Sequence, residues 1–455
     1  MEKNLTTGSV FKNILIFSLP YLLSYFLQTL YGMADLFIIG QFEGVASTTA
    51  VSIGSQVMHM LTVMIVGLAM GSTVSIGQAV GAGDREKAAS GIGNTVTLFM
   101  CLSVVLTVAL LIFVRPVVTI MSTPEAAVSG TIEYLTICFI GIPFITAYNI
   151  ISSIFRGLGD SKSPMCFIAV ACVANIALDY LFMGALHLGP SGAALGTTLS
   201  QAVSVIIALV VIRRHSGALA VKKSDFQPAR PVMAKLLRIG VPIAMQDGLI
   251  QIAFIIITVI ANRRGLNDAA AVGIVEKIIS FLFLVPSSML STVSALGAQN
   301  IGAGKPERAR LTLRYAAFIA ICFGACMVIL MQFAAEPVVS LFTDSAQSDG
   351  AEVIRLGGQY MRGYVWDCIF AGVHFSFSGY FCACGRSGLS FLHNISAILL
   401  VRVPGVYLTS LFFPDSLFPM GLATSMGSLL SVIICVIAYT AILSGKKSSF
   451  SGNHV

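Results

Sequence analysis

Charged residues are scarce in this chain of 455 residues: aspartate, glutamate, lysine and arginine together make up only 10% of it. Soluble proteins carry roughly a quarter charged residues, because their surfaces face water. With 56% hydrophobic residues and a mean hydropathy of +0.90, this chain could not cover its apolar side chains in water. The shortage excludes soluble enzymes, disordered proteins and fibrous proteins, and it indicates a membrane protein whose outer surface faces lipid.

Several chemical signatures are also missing from the sequence. It contains no His-Glu-x-x-His, Gly-x-Ser-x-Gly or Asp-Asp-x-x-Asp motif, and its two Gly-x-Gly turns lack the context of a phosphate-binding loop. The ten cysteines lie mostly in apolar runs, without the spacing of a zinc site or a disulfide framework. We therefore expect no enzyme, no cofactor, no nucleotide-binding domain and no nucleic-acid partner.

What the sequence does contain is twelve apolar stretches, each long enough to cross a bilayer, which requires about 20 residues. Their approximate limits are 14–39, 50–76, 91–114, 131–155, 164–186, 191–212, 239–262, 269–296, 315–335, 357–381, 389–413 and 419–443. Runs of this length predict helices rather than the short alternating strands of an outer-membrane barrel. The sequence thus predicts an all-α polytopic membrane protein with twelve transmembrane helices.

The basic residues predict the orientation of these helices. Lysine and arginine gather in alternate loops, beginning with Lys3 and Lys12 and including the long segment 213–238. Basic loops remain in the cytoplasm, so we expect both termini there, in a bacterial-type inner (plasma) membrane. Segment 213–238 is then a cytoplasmic linker between an N-terminal lobe, 1–212, and a C-terminal lobe with a short tail, 239–455.

An internal repeat supports the division into two lobes. The segment QAVGAGDREKA at 78–88 resembles QNIGAGKPERA at 299–309, an offset of 221 residues, and the same offset relates 115–118 to 336–339. Six spans per half is an even number, so both halves cross the membrane in the same direction. The repeat predicts two six-helix lobes related by a pseudo-twofold axis along the membrane normal, as in transporters with alternating access.

Acidic residues at membrane depth are candidates for function, because each charge there costs roughly 2.5–3.5 kcal/mol on insertion scales. They are Asp35, Asp179, Asp247, Glu276 and Asp367. A residue near a helix end can instead extend to water, and this interpretation stays open for Asp35 and Asp367.

Helical spacing groups part of these residues with polar neighbours. The residues that share one face of the first predicted helix are Gln28, Tyr31 and Asp35. Asn175 and Asp179 share one face of the fifth, and Thr197 or Thr198 on the sixth can add a hydroxyl oxygen. If the three helices meet, these oxygens form a hard site that binds a proton or a sodium ion.

With these motifs the chain resembles the multidrug and toxic compound extrusion (MATE) family over essentially its whole length, in the DinF-like branch. The segments that carry the resemblance are Pro20 with QTLYGMAD at 28–35, GQAVGAG at 77–83, RGLGDSKSP at 156–164, NIALD at 175–179 and QNIGAG at 299–304. The resemblance implies a secondary active antiporter that exports amphiphilic, cationic organic compounds in exchange for H+ or Na+. It implies small-molecule substrates and a monomer in the bilayer that requires no partner protein.

The resemblance also implies roles for individual residues. The cation-coupling residues are Asp35, Asn175, Asp179 and Thr197, of which Asp35 and Asp179 would be the metal ligands if the ion is Na+. The resemblance places Gln28 and Tyr31 in the substrate cavity; Asp247 and Asp367, acidic residues at membrane depth, are assigned to this cavity as well. Another branch of the family has an acidic residue eight positions after the proline of span seven, where this chain has Ile250. A C-lobe sodium site of that kind is therefore not expected.

A flippase for a lipid-linked oligosaccharide, or for another lipid, is the alternative function, since it has a similar duplicated build. Such a protein needs a basic cavity for the pyrophosphate of its substrate, whereas the predicted N-terminal site is acidic.

Overall fold

The computed structural model describes residues 3–214, 221–343 and 349–451, which are almost entirely helical and contain no β-strand. The helices of the first half are α1 (Val10–Phe42), α2 (Val45–Gly81), α3 (Arg85–Ile112), α4 (Val114–Ile120), α5 (Glu125–Ile140), α6 (Ile142–Gly157), α7 (Lys162–Asp179) and α8 (Gly189–Arg214). Those of the second half are α9 (Arg230–Arg264), α10 (Leu266–Leu282), α11 (Leu284–Gly302), α12 (Pro306–Val339), α13 (Gly350–Tyr364), α14 (Asp367–Ala383), α15 (Gly388–Ala397), α16 (Val403–Phe412) and α17 (Phe418–Ser451).

The twelve predicted spans all fall on these helices, which confirms the polytopic all-α fold. Ten continuous helical stretches within the described residues are long and apolar enough to cross a bilayer. An eleventh span consists of α5 and α6, which meet at a bend of 48°. The span predicted at 357–381 consists of α13 and α14, which are separated by only two residues.

The repeated motifs adopt the same backbone conformation in both halves. Gly83 and Gly304, at the 221-residue offset, have φ of +71° and +70°. Gly159 and Gly385, which close the loops after α6 and α14, have φ of +87° and +70°. Only glycine adopts this left-handed region readily, so each of these positions ends a helix with a tight turn. The predicted Gly-x-Gly turns are therefore structural turns between helices.

Contacts within the chain define two compact units. The first comprises Met1–Ala244 together with Ala298–Lys305, and the second comprises Met245–Gly297 together with Pro306–Val455. These limits differ from the predicted lobes in that α9 and α11 each contribute residues to both units.

The predicted linker 213–238 belongs to the first unit, and its residues 215–220 lie outside the described part of the chain. Its described part contains a short 3-10 turn, Lys223–Phe226, and the beginning of α9. The Asn94 side chain on α3 donates to the Asp225 carbonyl oxygen at 3.2 Å and accepts from the Ala229 amide at 2.7 Å. These bonds attach the linker to the first unit.

Each unit has a core of its own. In the first unit, α2 packs against α5 and α6, and α7 packs between α1 and α8. In the second unit, α14 packs between α12 and α17, and α13 lies against α10 and α17. The positions turned away from these contacts carry large exposed apolar side chains such as Phe37, Val105 and Phe333, which suit a lipid environment.

Candidate functional site

Three helices of the first unit bring together the polar residues that helical spacing had grouped. Asp35 on α1 is 2% exposed, and Asn175 and Asp179 at the end of α7 are both 0% exposed. The Thr197 hydroxyl on α8 donates to Asp35 Oδ2 at 3.1 Å. The Asn175 amide and the Asp179 carboxyl group adjoin the Asp35 carboxyl group. The spans predicted as one, five and six therefore meet at one buried polar cluster.

Most of the polar atoms in this cluster have no hydrogen-bond partner among the described residues. They are Asp35 Oδ1, both carboxylate oxygens of Asp179 and both polar atoms of the Asn175 amide. Unpartnered buried polar groups cost free energy and are rare in native proteins. Their concentration at one place, on residues from two helices, indicates a site that binds a small polar or charged species.

A glycine on α8 makes room for the cluster. A Cβ atom at Gly196 would overlap with Asp179 Oδ1 and lie 3.6 Å from the Asn175 amide nitrogen. The buried residues of α8 before Thr197 are all small, namely Gly189, Gly192, Ala193, Ala194 and Gly196. Small residues allow membrane helices to approach closely, so this stripe places Thr197 within reach of Asp35. Sequence reasoning missed Gly196, although its position directly before two threonines was visible.

A π-helical turn directly follows Asp179 and ends the helix there. It runs over Tyr180–Ala185, and a second such turn, Ile398–Arg402, continues α15 in the second unit. Single π turns within helices occur frequently at functional sites. In this chain the first turn directly follows Asp179, and the second ends at the buried Arg402.

The residues predicted for the substrate cavity in the first unit lie next to the carboxylate cluster. Tyr31 is one helical turn before Asp35 and packs against the core around Tyr148. Gln28 is one turn further and lines a cavity within the first unit. The other residues that line this cavity are Tyr21, Ser24, Tyr25, Val66, Tyr148, Asn149, Arg156 and Pro164. Its wall is thus formed by tyrosines and uncharged polar groups, with one arginine.

The two predicted cavity residues of the second unit, Asp247 and Asp367, differ in burial and in their partners. Asp247 on α9 is partly exposed and follows the fully buried Gln246. Asp367 on α14 is 0% exposed, and its Oδ2 accepts from the Arg402 guanidinium at 2.9 Å. Arg402 also donates to the Ser428 hydroxyl at 2.8 Å. The Asp367 carboxylate therefore forms a buried ion pair with Arg402, and its place in the substrate cavity stays a prediction.

Glu276, the remaining acidic residue at membrane depth, lies on α10. Its Oε2 accepts from the Thr258 hydroxyl at 3.3 Å, and Oε1 has no partner among the described residues. Within the described part of the chain, no three or more His, Cys, Asp and Glu side chains group as metal ligands. A cation at Asp35 and Asp179 would have two carboxylates, an amide and a hydroxyl as its donors. Such oxygen donors suit a proton or a hard cation rather than a transition metal.

Comparison with known proteins identifies the family. The MatE family profile matches residues 20–181 and 242–408, which is more than half of the chain. YoeA of Bacillus subtilis, described as a probable multidrug resistance protein, is 28% identical over 409 residues, which cover 88% of this chain and 87% of YoeA. YpnP of the same organism, with the same description, is 27% identical over 420 residues, covering 92% and 93% of the two chains.

A solved structure has the same fold. The crystal structure of MATE in complex with MaL6 superposes with a TM-score of 0.90 at 24% sequence identity, and the match covers 98% of both chains. The extent of the profile match shows that this chain belongs to the MatE family, whose members are membrane transporters and not enzymes.

Proposed function

We propose that the chain is a secondary active exporter that releases amphiphilic organic compounds in exchange for H+ or Na+. The observation that carries the proposal is the pair Asp35 and Asp179, which is enclosed in the first unit and has three oxygen atoms without a partner among the described residues. The descriptions of YoeA and YpnP as multidrug resistance proteins support export of organic compounds.

The chemistry of the pair accounts for coupling. Two ionised carboxylates in a low-dielectric site repel each other and lose their hydration. The two groups are therefore not ionised at the same time unless a cation binds between them. A proton on one of them, or a sodium ion between them, removes the repulsion. The bound ion favours the conformation that encloses the pair, because a ligand shifts a conformational equilibrium toward the state that it binds more tightly. The Thr197 hydroxyl and the Asn175 amide would orient the carboxylates.

The substrate would bind along the wall beside this cluster in a more open conformation, because the cavity described here has a volume of about 10 Å³, room for one water molecule. The tyrosine rings and the Gln28 amide of this wall offer apolar surface and hydrogen bonds to a planar organic compound. Tyr31 lies one helical turn before Asp35 on the same helix. Release of the coupling ion leaves negative charge near this wall, which favours a cationic substrate. Asp247, partly exposed on α9, is proposed as a second acidic contact for the substrate.

The proposal also covers the membrane in which the protein lies and its oligomeric state. We place the protein in the plasma membrane of a bacterial-type cell with both termini in the cytoplasm, as the distribution of lysine and arginine predicts. The protein works as a monomer, in the DinF-like branch of its family. The alternative, a lipid flippase, requires a basic cavity, and among the residues that line the cavity beside Gln28 only Arg156 is basic.

The test is efflux of the cationic dye ethidium from membrane vesicles in which proton and sodium gradients are imposed separately. We expect one gradient to drive efflux by the wild-type protein. Asp35→Asn and Asp179→Asn should insert and fold, yet reduce driven efflux to the level of vesicles without the protein. Glu133→Gln, which changes an exposed carboxylate on α5, is the matched control and should leave efflux unchanged. Wild-type rates in both N-lobe variants would contradict the proposal.

A further inference from the structure

The segment before α1, residues 3–9, is not helical, yet part of it is buried. Leu5 and Thr6 are only 8% and 9% exposed. The Asn4 side chain accepts from the Thr6 amide at 2.8 Å and from the Thr6 hydroxyl at 2.7 Å, which shapes the segment locally. Terminal segments are poorly ordered unless other parts of the protein hold them. The contacts of this segment therefore indicate what it does.

The first contact is with the loop that follows α6. The Lys3 amide donates to the Leu158 carbonyl oxygen at 2.9 Å. Gly159, whose φ is +87°, makes this approach possible, because a Cβ atom there would lie 2.5 Å from the Lys3 carbonyl oxygen. The glycine thus serves both the turn of the loop and the seat of the segment on it.

The second contact is with the end of α11, which belongs to the first unit although it lies in the second half of the sequence. The Leu5 amide donates to Gln299 Oε1 at 3.1 Å, and Gln299 Nε2 donates to the Gly157 carbonyl oxygen at 3.1 Å. The Lys305 ammonium group donates to the Thr6 carbonyl oxygen at 3.0 Å. The segment therefore connects the end of α6 with the end of α11.

The same end of α11 also contacts the end of α2, through equivalent residues of the repeat. A Cβ at Gly81 would overlap with the Gln299 carbonyl oxygen, and a Cβ at Gly302 would overlap with the Gln78 carbonyl oxygen. The offset of 221 residues relates Gln78 to Gln299 and Gly81 to Gly302, so the contact is self-complementary, as expected about a twofold axis. Both helices end here, on the side predicted to face the cytoplasm.

We propose that residues 3–9 form a latch, which holds the end of α11 against the ends of α2 and α6 and has to release before these ends can separate. This role rests on the proposed function, because substrate from the cytoplasm enters a transporter with alternating access when its two repeats part on that side. The latch is held by hydrogen bonds to backbone atoms, which water can replace at small net cost. It can therefore open and close repeatedly.

The latch is tested first without transport. Spin labels on cysteines that replace Lys87 and Glu307, at the exposed starts of α3 and α12, report the separation of the helices that follow α2 and α11. Pulsed electron paramagnetic resonance in lipid nanodiscs gives the distribution of this distance. We expect deletion of residues 3–8 to raise the population at longer distance. The same distribution with and without these residues would show that they do not hold the helix ends together.

Single substitutions identify the bonds that matter. Lys305→Ala removes the bond to the Thr6 carbonyl oxygen, and Gln299→Ala removes the bonds to Leu5 and Gly157. The ratio of long to short distances should rise by about two- to tenfold for each bond removed. Lys12→Ala, which removes an exposed lysine at the start of α1, is the matched control for Lys305→Ala. If Gln299→Ala does not fold, Lys305→Ala decides, and equal ratios in the two lysine variants contradict the proposal.

The need for release is tested by a covalent lock. Cysteines that replace the exposed Thr7 and Lys305 are joined by a short bis-maleimide, in a chain whose exposed native cysteines are changed to alanine. Crosslinking should reduce gradient-driven ethidium efflux to the level of vesicles without the protein, whereas the two single-cysteine variants, treated alike, should keep it. Undiminished efflux after crosslinking contradicts the proposal. Driven efflux absent from the wild type contradicts the proposed function instead, and the distance measurements then decide on the latch.

Discussion

At the scale of single residues, the coupling cluster depends on a glycine as much as on its acids. The absence of a side chain at Gly196 leaves room for the Asp179 carboxylate beside Asp35. A methyl group at position 196 would remove no charge and no hydrogen bond. Its effect on ion-driven efflux therefore reports the geometry of the Asp35 and Asp179 pair alone.

We therefore predict that Gly196→Ala displaces the Asp179 carboxyl group and uncouples efflux from the ion gradient. Overpacking of this kind also costs about 1–3 kcal/mol of stability, because backbone or side chains must shift. Ethidium efflux under the imposed gradient, together with thermal unfolding in detergent, measures both effects. Gly40→Ala on α1, where a Cβ would meet nothing within 4 Å, is the control and should be silent. Normal coupled efflux in Gly196→Ala would contradict the role of this space.

Arg402 illustrates a residue whose role depends on a distant partner. Its guanidinium neutralises Asp367, which lies 35 positions earlier in the chain, and it is held by Ser428 from α17. A buried ion pair is costly to break on one side, because the partner then stays charged without compensation. Asp367 is for this reason a charge-balanced group of the second unit, whereas Asp35 and Asp179 of the first unit have no basic partner among the described residues.

At the scale of helices, close packing within the first unit depends on glycines that face the backbone of a neighbouring helix. A Cβ at Gly71 on α2 would overlap with the Leu236 carbonyl oxygen on α9, and a Cβ at Gly240 on α9 would overlap with the Leu68 carbonyl oxygen. The contact is reciprocal, so the backbones of α2 and the start of α9 lie as near to each other as the residues permit. Such approaches are typical of membrane helices, which gain little from hydrophobic burial against one another.

This contact predicts that Gly71→Leu and Gly240→Leu separate the two helices. Each variant should lower the midpoint of thermal unfolding, since overlap with backbone cannot be relieved by a side-chain rotation and costs about 1–3 kcal/mol or more. Gly32→Leu, at a position of α1 without neighbours within 4 Å, supplies the comparison. The measurement is the loss of monodisperse protein on heating in detergent, and equal midpoints for all three variants would disprove the interpretation.

At the scale of the whole molecule, the duplication of the sequence is visible in backbone conformation. Both halves end corresponding helices with glycines at φ between +70° and +87°, and each half contains a π-helical turn. This turn ends its helix in the first half and lies within a longer helix in the second. The buried polar groups of the two halves nevertheless differ. Among the described residues, the first unit encloses two carboxylates, Asp35 and Asp179, without basic partners, and the second encloses an ion pair and two histidines.

The orientation in the membrane is tested on intact cells. A cysteine in place of the exposed Lys223 should not react with an impermeant maleimide, because the linker is predicted to be cytoplasmic. A cysteine in place of the exposed Glu125, in a loop predicted to be outside, should react readily. The exposed native cysteines, Cys101, Cys166, Cys322 and Cys326, are first replaced by alanine. Ready labelling at position 223 would overturn the predicted topology.

The sequence by itself determined the membrane setting, the number of spans and their duplication. Long apolar runs can satisfy their backbone hydrogen bonds in lipid only as helices, so composition and length were sufficient for the fold class. The spacing of Asn175 and Asp179, and of Gln28 and Asp35, placed each pair on one helical face, because helix geometry is local.

Only the tertiary structure decided which faces meet. That α1, α7 and α8 converge on Asp35 depends on the small residues of α8, and that Asp367 meets Arg402 depends on the packing of α14 against α17. The edge contact between His374 and His393 likewise joins residues of separate helices. Such contacts arise from packing between helices, and one sequence contains no local periodicity that specifies them.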